Sequence, residues 1–566
     1  MQKRSILALL AAGSVFMSAP AMAADNPTAE RVAQTSPEIA VEGVSPAEYA
    51  AGQSVLSNWL QSEKPWRVDD APVVVQLAAE EIQAVENPEV IGGEPLKVGV
   101  VVPLDVQLNL NGLVNPKTRV ADRMTDLAGG VLSQTRDGGY VWALTIGSEG
   151  AGGIRVHVEN LSLPANAELY FYSEYGEAYG PYTGTGPDNT GEFWTPSVVG
   201  QYGTLQVRVN GPVARGDLES VTLSIKEIGH VSKRFFGIAP TDGIAAFCSY
   251  NASCIQNNNC TSNAAVNDAE LAVAKMLWVK GCCIYTCSGG LIADSDTGTQ
   301  IPYFMTANHC LSTSSTNLEA FFQYQVSCGT SSCTGTYTDP PSNLIAGKTV
   351  GATIKATGAI SSGDFSLLQL SQNPPAGSVF LGWTSAPIAN SNGAALHRVS
   401  HPSGAPQSYS SATVDTSAQT CQGWNRGPLI YSEGDVGAIE GGSSGSPVVN
   451  ASGQFVGQLT GSCGTNLNNV CDHNSNSTVD GAFAHYFSSV SGFLDNGGGG
   501  CTPSAEVCND GTDNDCDGDV DCADSDCSGD PACSGGGCSP PGATCTANSE
   551  CCSNNCKGKP GNKTCK

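Results

Sequence analysis

Short runs of alternating apolar and polar residues, separated by Gly, Asn and Pro, recur along most of the chain. Between residues 97 and 228 they include 140–146, 153–158, 168–173 and 204–209. Alternation with a period of two predicts half-buried β-strands, and the Gly, Asn and Pro residues mark the turns between them. We therefore predict a β-sandwich at about 97–228.

The same pattern resumes at about residue 248 and continues to 495. Before residue 97 the sequence has only weak helical periodicity, for example at 78–85. Charged residues make up 14% of the 566 positions, and the many Gly, Ser, Thr and Asn residues are typical of extracellular β-rich domains rather than of long helices. The chain is too long for a single hydrophobic core, so we predict an all-β protein of several domains.

The first 23 residues differ from the rest of the chain. Two basic residues precede an apolar run at 6–17, and Ala21-Met-Ala23 fits the small-residue pattern of a signal-peptidase site. The apolar run is shorter than the roughly 20 residues that cross a bilayer, and no later segment reaches that length. We therefore predict a cleaved signal peptide, no membrane span and a secreted, extracellular protein.

The cysteines support export and divide the chain. There are 24 of them: none at 24–247, twelve at 248–471, six at 501–533 and six at 538–565. Even numbers in an exported chain predict separate disulfide-bonded domains. Glycine-rich linkers stand at the block boundaries, and the net charge of −27 argues against a nucleic-acid or anionic-membrane partner, because both require clustered Lys and Arg.

Three motifs carry the groups that peptide hydrolysis requires. His309 follows an apolar strand at 301–305, Asp364 heads the apolar run 365–370, and Ser444 lies in a glycine-rich turn. The reaction needs a nucleophile, a base that takes its proton, a group that orients the base, and donors for the oxyanion. Each motif is a weak signal in isolation, but their joint occurrence predicts a serine hydrolase.

The motifs ANHC, DFSLLQL and GGSSGSP resemble, in order and spacing, those of the trypsin/chymotrypsin superfamily. YFMTANHC, His401-Pro-Ser-Gly404, Gly457-Gln-Leu459 and the cysteine placement are further similar to bacterial lysyl endopeptidases, over roughly 243–493. The resemblance implies a chymotrypsin-like double β-barrel that acts as a serine endopeptidase on protein or peptide substrates. It implies no cofactor for catalysis, and we expect a monomer.

The resemblance also implies a role for each site residue. Ser444 would attack the carbonyl, His309 would act as general base and then general acid, and Asp364 would orient the imidazole. The backbone N–H groups of Gly442 and Ser444 would form the oxyanion hole. Ser443 replaces the aspartate that pairs with the new amino terminus in trypsin, so we expect no such ion-pair switch.

The cysteine-free region ahead of the catalytic domain is similar to the β-sandwich propeptides of this branch. We expect it to assist folding and to cover the site until it is removed, with the mature protein starting near Gly243; Lys233-Arg234 is a rival cleavage point. The predicted organisation is a signal peptide (1–23), a propeptide (24–242), a serine protease domain (243–495), an acidic Cys-rich module (496–533) and a knottin-like module (534–566).

Some disulfides are also implied by the resemblance. The implied pairs of the protease domain are Cys287 with Cys310, Cys248 with Cys463, and Cys254 with Cys328. Pairing of the remaining six stays open because six cysteines allow fifteen connectivities; these are Cys260, Cys282, Cys283, Cys333, Cys421 and Cys471.

The specificity pocket departs from that of trypsin. Ala438 stands where trypsin carries its pocket aspartate, and Asp480 is a candidate substitute. Thr460, Gly461 and Gly481 would form the walls. A preference for Lys and a preference for medium or small apolar residues both remain open, because a cationic side chain needs a carboxylate in the pocket.

The tail contains two small modules. The acidic one has carboxylates at the spacing of an EF-hand-type loop, which favours Ca²⁺ over a merely solvated acidic loop. The candidate ligands are Asp513, Asp515, Asp517, Asp519, Asp521 and Asp524. The second module resembles an inhibitor cystine knot, which implies the pairs Cys538 with Cys552, Cys545 with Cys556, and Cys551 with Cys565. Whether the tail binds a surface or substrate, or is only a protease-resistant cap, stays open.

Two other functions compete with the endopeptidase. One is a secreted, Ca²⁺-dependent binding or adhesion protein with an inert protease fold, and the other is an esterase that uses the same residues. His309, Asp364, Ser444 and the oxyanion glycine are all present, which argues against the inert fold.

Overall fold

The computed structural model of the protein describes residues 34–41, 43–65, 71–90, 93–110, 125–213, 218–236, 250–328, 347–421, 423–495, 544, 556–559 and 562–565. Strands hold 45% of it and helices 14%. The prediction of an all-β fold is confirmed.

Two sheets face each other in the region before residue 232. The strands of this region are Val73–Val75, Leu96–Asn109, Thr125–Leu127, Gly130–Gln134, Tyr140–Ser148, Gly153–Ser162, Ala167–Tyr172, Ala178–Tyr182, Phe193–Trp194, Val198–Val199, Tyr202–Val209 and Thr222–Val231. One sheet is centred on Tyr140–Ser148 and Tyr202–Val209, and the other on Gly153–Ser162 and Thr222–Val231. Their inward residues, such as Trp142, Phe171 and Ile225, form one buried cluster, as the alternating pattern requires.

Two helices accompany this sandwich. The helix Pro46–Glu63 begins with a capping box, in which Ser45 Oγ accepts the Glu48 N–H at 3.3 Å and the Glu48 carboxylate accepts the Ser45 N–H at 3.1 Å. Its Leu60 is fully buried in a cluster with Tyr170 and Tyr172. The second helix, Ala79–Glu86, ends at a carboxylate that accepts the Lys233 N–H at 2.7 Å.

Two closed barrels of six strands follow, as the chymotrypsin-like prediction requires. The first contains Val273–Lys280, Cys283–Leu291, Tyr303–Ala307, Ser315–Phe322, Lys348–Gly358 and Phe365–Leu370. The second contains Ala395–Ser400, Ser408–Val414, Leu429–Val436, Pro447–Asn450, Phe455–Gly464 and Asn476–Ala482. In this double barrel the predicted fold class is confirmed.

Shorter elements connect and close the barrels. The strands Gln256–Asn257, Val379–Phe380 and Trp383–Thr384 lie at their edges, and the helices are Asn267–Ala272 and Phe483–Leu494. One-turn helices occupy Asn258–Cys260, Ala264–Val266, Ile360–Ser362 and Pro402–Gly404. The helix Phe483–Leu494 buries Phe483, Tyr486 and Phe487 in the core of the barrels.

The sandwich and the first barrel share one continuous sheet. Strand Leu96–Asn109 pairs antiparallel with Cys283–Leu291, which makes a sheet of 11 strands. Farther toward the amino terminus, Thr35–Ser36 pairs with Trp383–Thr384. Ile39–Ala40 also pairs antiparallel with Val379–Phe380. The segment ahead of the barrels is therefore attached to them by three strand pairings among the described residues.

Buried charges also cross this contact. Glu319 of the first barrel lies 3.4 Å from Arg155 of the sandwich and 3.0 Å from Lys348, and Lys348 lies 4.0 Å from Glu177 of the sandwich. All four side chains are almost fully buried. Removing one partner would leave an uncompensated buried charge, which is strongly destabilising.

The disulfides correct two implied pairs. Cys287 bonds Cys310, as the resemblance implied, but Cys254 bonds Cys471 and not Cys328, and Cys463 bonds Cys421 and not Cys248. The bonds of the described residues are Cys254–Cys471, Cys260–Cys328, Cys282–Cys283, Cys287–Cys310 and Cys421–Cys463.

The error has a simple origin. Cys248, Cys254 and Cys260 follow one another at intervals of six residues, so pairs carried over from the resemblance are easily shifted by one cysteine. Cys260, not Cys254, comes within 4.8 Å of Cys328 between Cα atoms, a distance that a disulfide can bridge.

Several predictions lie outside the described residues. These are the signal peptide, the processing point near Gly243, Cys248, Cys333, the candidate Ca²⁺ ligands at 513–524 and most of the knottin-like cysteines. Of the last module, the strands Cys556–Lys559 and Asn562–Cys565 are described, and they pair antiparallel. No helix among the described residues is long and apolar enough to cross a membrane.

Candidate active site

The base and its orienting acid are brought together by paired strands. Strand Tyr303–Ala307 pairs with strand Phe365–Leu370, and Ala307 lies opposite Phe365. His309, which follows the first strand, and Asp364, which precedes the second, therefore lie next to each other at the same edge of the sheet. His309 Nδ1 lies 2.8 Å from Asp364 Oδ2, and the His309 backbone N–H donates to Asp364 Oδ1 at 3.0 Å. The acid therefore fixes both the ring and the backbone of the histidine.

Asp364 itself sits in an unusual backbone conformation. It is 2% exposed, and its φ of 52° lies in the left-handed region that few residues other than Gly, Asn and Asp adopt. Its carbonyl oxygen accepts hydrogen bonds from the Asn308 N–H and from Gln458 Nε2, both at 3.0 Å. These bonds hold the turn in place.

Gln458 and Tyr486 are supporting residues that the sequence did not single out. Gln458 Nε2 also donates to the Gly363 carbonyl at 2.8 Å, and the Tyr486 hydroxyl donates to Gln458 Oε1. Tyr486 stacks on Phe365 with ring centroids 4.2 Å apart. The motif Gly457-Gln-Leu459 contains Gln458, but only the fold reveals what its side chain contacts.

The serine turn is pressed against the histidine strand. Gly445 has φ 78°, and a Cβ there would lie 2.5 Å from the Ser288 oxygen and 2.8 Å from the Ala307 nitrogen. Only glycine fits such a close approach of two backbones. The Ser444 carbonyl oxygen accepts the Ser288 N–H at 2.8 Å, so the nucleophile is held between the two barrels.

The turn that carries Ser444 lies against the end of the strand before His309, but the two side chains are not hydrogen-bonded among the described residues. Among the described residues, His309 Nε2 lies 3.7 Å from Cys310 Sγ and has no hydrogen bond to Ser444. Catalytic hydrogen bonds are often long in free enzymes and tighten only with substrate. Cys287, His309 and Cys310 lie close enough to suggest a metal site, but the two sulfurs bond each other and are not available as thiolate ligands.

The hydrogen bonds of two carbonyl groups in the serine turn determine the direction of the N–H groups that follow them. The Gly441 carbonyl accepts the Ser403 N–H at 2.6 Å, and the Ser443 carbonyl accepts the Ser446 N–H at 3.0 Å. Because N–H and C=O point in opposite directions across a trans peptide, the N–H groups of Gly442 and Ser444 face away from these partners. Neither N–H has an acceptor in the described part of the chain, so both are free to bind an oxyanion.

Ser443 lies at the position that carries an aspartate in trypsin. It is fully buried, its Oγ lies 3.1 Å from Ser400 Oγ, and it accepts the Glu440 N–H at 3.4 Å. This position therefore holds a neutral hydroxyl group within the turn and no charge.

The pocket residues are divided between two neighbouring cavities. Ala438 and Asp480 line one cavity, together with Arg398. Thr460 and Gly461 line the cleft that also contains Ser444. Gly481 lines neither; a Cβ there would collide with the Gly363 carbonyl and the Gln458 side chain. The expectation that Gly481 forms a pocket wall is therefore wrong, because the strand register places it behind the Asp364 turn.

Asp480 already has a cationic partner. Arg398 Nη2 donates to Asp480 Oδ1 at 2.5 Å, and Arg398 Nη1 donates to the Ser446 carbonyl at 3.0 Å. Burial raises the pKa of the Asp480 carboxyl from its ordinary value, against the opposing effect of the Arg398 charge. Asp480 Oδ2 has no hydrogen-bond partner among the described residues. A substrate lysine would have to compete with Arg398 for this carboxylate.

A segment from before the barrels lines the same cleft as Ser444. Residues 88–90, Gly93, Glu94 and Leu96 face Gly441 and Ser444 across the cleft. A Cβ at Gly441 would lie 3.0 Å from Leu96 Cδ1 and 3.1 Å from Val90 Cγ2. This segment therefore narrows the approach to the nucleophile.

Comparison with known proteins follows the same division of the chain. The family model described as "Lysyl endopeptidase, C-terminal domain" matches residues 243–477, and "Lysyl endopeptidase N-terminal domain" matches 120–232. A curated relative, the lysyl endopeptidase of Pseudomonas aeruginosa, is 27% identical over 337 residues, which are 58% of this chain and 69% of the relative.

Two solved protease structures are also similar in part. The inactive form of the Rv3671c protease is 16% identical with a TM-score of 0.27, over 42% of this chain and 96% of that chain. The HtrA-type protease AlgW with a tripeptide is 15% identical with a TM-score of 0.28, over 41% and 63%. The two family models together match more than half of the chain. These matches, the curated relative and the double barrel show that the chain belongs to the trypsin-like serine peptidases and resembles the lysyl endopeptidases.

Proposed function

We propose that this protein is a secreted serine endopeptidase that forms an acyl-enzyme on Ser444. One observation carries the proposal. The His309–Asp364 pair, joined at 2.8 Å, stands beside a serine turn whose N–H groups at Gly442 and Ser444 are free to receive an oxyanion. This arrangement supplies the base, the orienting acid, the nucleophile and the oxyanion donors that acyl transfer requires.

The roles follow from the geometry of each group. His309 takes the Ser444 hydroxyl proton at Nε2 as the hydroxyl attacks the scissile carbonyl, and later returns it to the leaving amine. Asp364 accepts the Nδ1–H bond, which keeps Nε2 unprotonated in the neutral ring, and stabilises the imidazolium that forms. The Gly442 and Ser444 N–H groups stabilise the charge on the carbonyl oxygen. Water then repeats the sequence on the acyl-enzyme.

Hydrolysis of a denatured protein by the purified secreted form tests this function. Peptide-bond cleavage is the expected result. Hydrolysis of ester substrates without any peptide-bond cleavage would favour the esterase, and the absence of both would favour an inert binding protein. The intact set of His309, Asp364 and Ser444 supports the enzyme over that last alternative.

We further propose that residues 24–242 act as an inhibitory propeptide. Support comes from Val90 and Leu96, which lie against Gly441 in the cleft of Ser444. A peptide substrate must occupy the same space, so this segment and substrate exclude each other.

A labelling rate measures this inhibition. The unprocessed precursor is expected to react with a fluorophosphonate much more slowly than the processed enzyme, because Val90 and Leu96 obstruct access to Ser444. Equal labelling rates for the two forms would contradict an inhibitory role, and amino-terminal sequencing would identify the processed form.

The family resemblance implies Lys preference, whereas the pocket favours an uncharged residue. Arg398 already occupies Oδ1 of Asp480, and Ala438 supplies no charge. A desolvated lysine ammonium group would have to share the single charge of Asp480 with Arg398, which weakens its stabilisation in the pocket. We therefore propose cleavage after medium or small apolar residues.

Cleavage-site profiling on a denatured protein decides between the two preferences. We expect most cuts after uncharged residues, and we expect Asp480→Asn to leave the profile unchanged, with its folding checked by thermal unfolding. A majority of cuts after Lys, lost in Asp480→Asn, would contradict the proposal and assign Asp480 as the lysine acceptor.

A further inference from the structure

The oxyanion donor at Gly442 depends on how one peptide unit is turned. The unit joins Gly441 to Gly442, and its carbonyl accepts the Ser403 N–H at 2.6 Å. If this bond were lost, the peptide could rotate and take the Gly442 N–H away from the cleft. The next carbonyl, that of Gly442, is held separately by Ser288 Oγ at 2.8 Å. The Ser403 N–H is therefore the contact that sets the direction of the Gly442 donor.

Ser403 reaches this carbonyl from a strained backbone. Its φ of 57° and ψ of 21° lie in the left-handed region, which a serine adopts only when its surroundings enforce it. The contact is also tight, since a Cβ at Gly442 would lie 2.9 Å from the His401 carbonyl oxygen and 3.1 Å from the Ser403 nitrogen. Segment 401–404 and the serine turn are thus fitted to each other.

Glu440 holds Ser403 in that conformation. Ser403 Oγ donates to Glu440 Oε2 at 3.0 Å. The same carboxylate accepts the Ala252 N–H at 2.7 Å and Asn251 Nδ2 at 2.5 Å. Asn251 Nδ2 also donates to the Pro402 carbonyl at 3.1 Å. One carboxylate therefore connects residues 251–252, the segment 401–404 and the start of the serine turn.

We propose that Ser403 and Glu440 are positioning residues that keep the Gly442 N–H directed into the cleft, in place of an ion pair at position 443. The proposal rests on the proposed function, because it concerns the oxyanion hole of the same site. All residues of the network follow residue 243, so the network would remain after removal of the propeptide. Arg234, from before that point, also donates to Ser403 Oγ at 3.3 Å, and its loss would leave the Glu440 bond intact.

Three variants of the full-length protein, processed to the active form, test this role. Ser403→Ala removes the hydroxyl but keeps the strained backbone, whereas Ser403→Gly removes the hydroxyl and adopts a positive φ without strain. Glu440→Gln has the same shape but presents an NH₂ group where a carboxylate oxygen accepts. Glu433→Gln, at an exposed position on strand Leu429–Val436, is the matched control.

The readouts are kcat, KM and the affinity for a peptide aldehyde, whose tetrahedral adduct places its oxygen in the oxyanion hole. Loss of one oxyanion donor lowers kcat by about 10²–10³. We expect losses of about 10- to 100-fold in Ser403→Ala and Glu440→Gln, since the donor is misdirected and not deleted. Aldehyde affinity should fall in parallel, while KM stays unchanged. Ser403→Gly should retain more activity than Ser403→Ala, and Glu433→Gln should match the wild type.

The proposal is overturned if Ser403→Ala and Glu440→Gln keep the kcat and aldehyde affinity of the wild type, or if only KM changes. Should Ser403→Ala fail to fold, Glu440→Gln gives the same decision. Wild-type hydrolysis is measured first. An inactive wild type therefore overturns the proposed function as a whole, whereas an active wild type with unaffected variants overturns only the roles of Ser403 and Glu440.

Discussion

Replacing Ser444 with alanine is expected to lower kcat for peptide hydrolysis by about 10⁶-fold, the size of effect measured when the nucleophile of a serine protease is removed. The hydroxyl forms the covalent intermediate, and no neighbouring group can take its place. Ser443 is the nearest hydroxyl in sequence, but it is fully buried and bonded to Ser400. Steady-state hydrolysis of a peptide substrate by the processed enzyme measures the loss.

The matched control is Ser488→Ala, at an exposed position on the helix Phe483–Leu494, which should leave kcat unchanged. The Ser444→Ala variant should fold as the wild type does, because the Ser444 side chain makes no hydrogen bond among the described residues. A Ser444→Ala enzyme with substantial peptidase activity and no trace of wild-type contamination would contradict the assignment of the nucleophile.

Asp364→Asn is expected to lower kcat by about 10⁴-fold with little change in KM. An asparagine NH₂ group facing Nδ1 would favour the ring tautomer that carries its proton on Nε2, so His309 could no longer accept the Ser444 proton. The substitution suits the backbone, because Asn tolerates the positive φ that Asp364 adopts.

Asp435→Asn is the control for this variant, because Asp435 is exposed. Among the described residues, its carboxylate accepts a single hydrogen bond, from the Thr413 hydroxyl. It should retain wild-type kcat. A loss of less than about tenfold in Asp364→Asn would mean that Asp364 does not set the His309 tautomer, because loss of that function costs about 10⁴-fold in related geometries.

The sequence was sufficient where the information is local. Period-two alternation predicted the strands, and the motifs around His309, Asp364 and Ser444 lie on two strand ends and a glycine turn that the fold brings into contact. A short motif on a strand end or a glycine turn carries its own geometry. Such a motif can be recognised in the sequence because a position such as Gly445, where two backbone segments approach closely, accepts only glycine.

Contacts between distant segments could not be predicted. Gln458 reaches the Asp364 turn across 94 positions in sequence, and Arg398 neutralises Asp480 across 82. Both depend on the register in which strands pair, and a shift of one residue reverses the face on which a side chain lies. The error at Gly481 has the same cause, whereas the displaced disulfides of Cys254 and Cys463 arise from the regular spacing of the cysteines.

The attachment of the amino-terminal segment to the barrels is another long-range contact that could not be predicted from the sequence. The sequence of residues 96–100 does not indicate that this strand pairs with Cys283–Leu291 of the first barrel, because the edge of Cys283–Leu291 that it pairs with exists only in the folded protein. Residues 88–90, 93–94 and 96 lie at the cleft, which is the structural basis of the proposed inhibition.

The most direct test of the central claim is the site of covalent modification by a fluorophosphonate. The processed enzyme is labelled, digested and analysed by mass spectrometry. We predict a single adduct on Ser444, with labelling strongly reduced in His309→Ala because the hydroxyl is no longer activated. An adduct on another residue, or no adduct in an enzyme that hydrolyses peptides, would contradict the claim that Ser444 is the nucleophile.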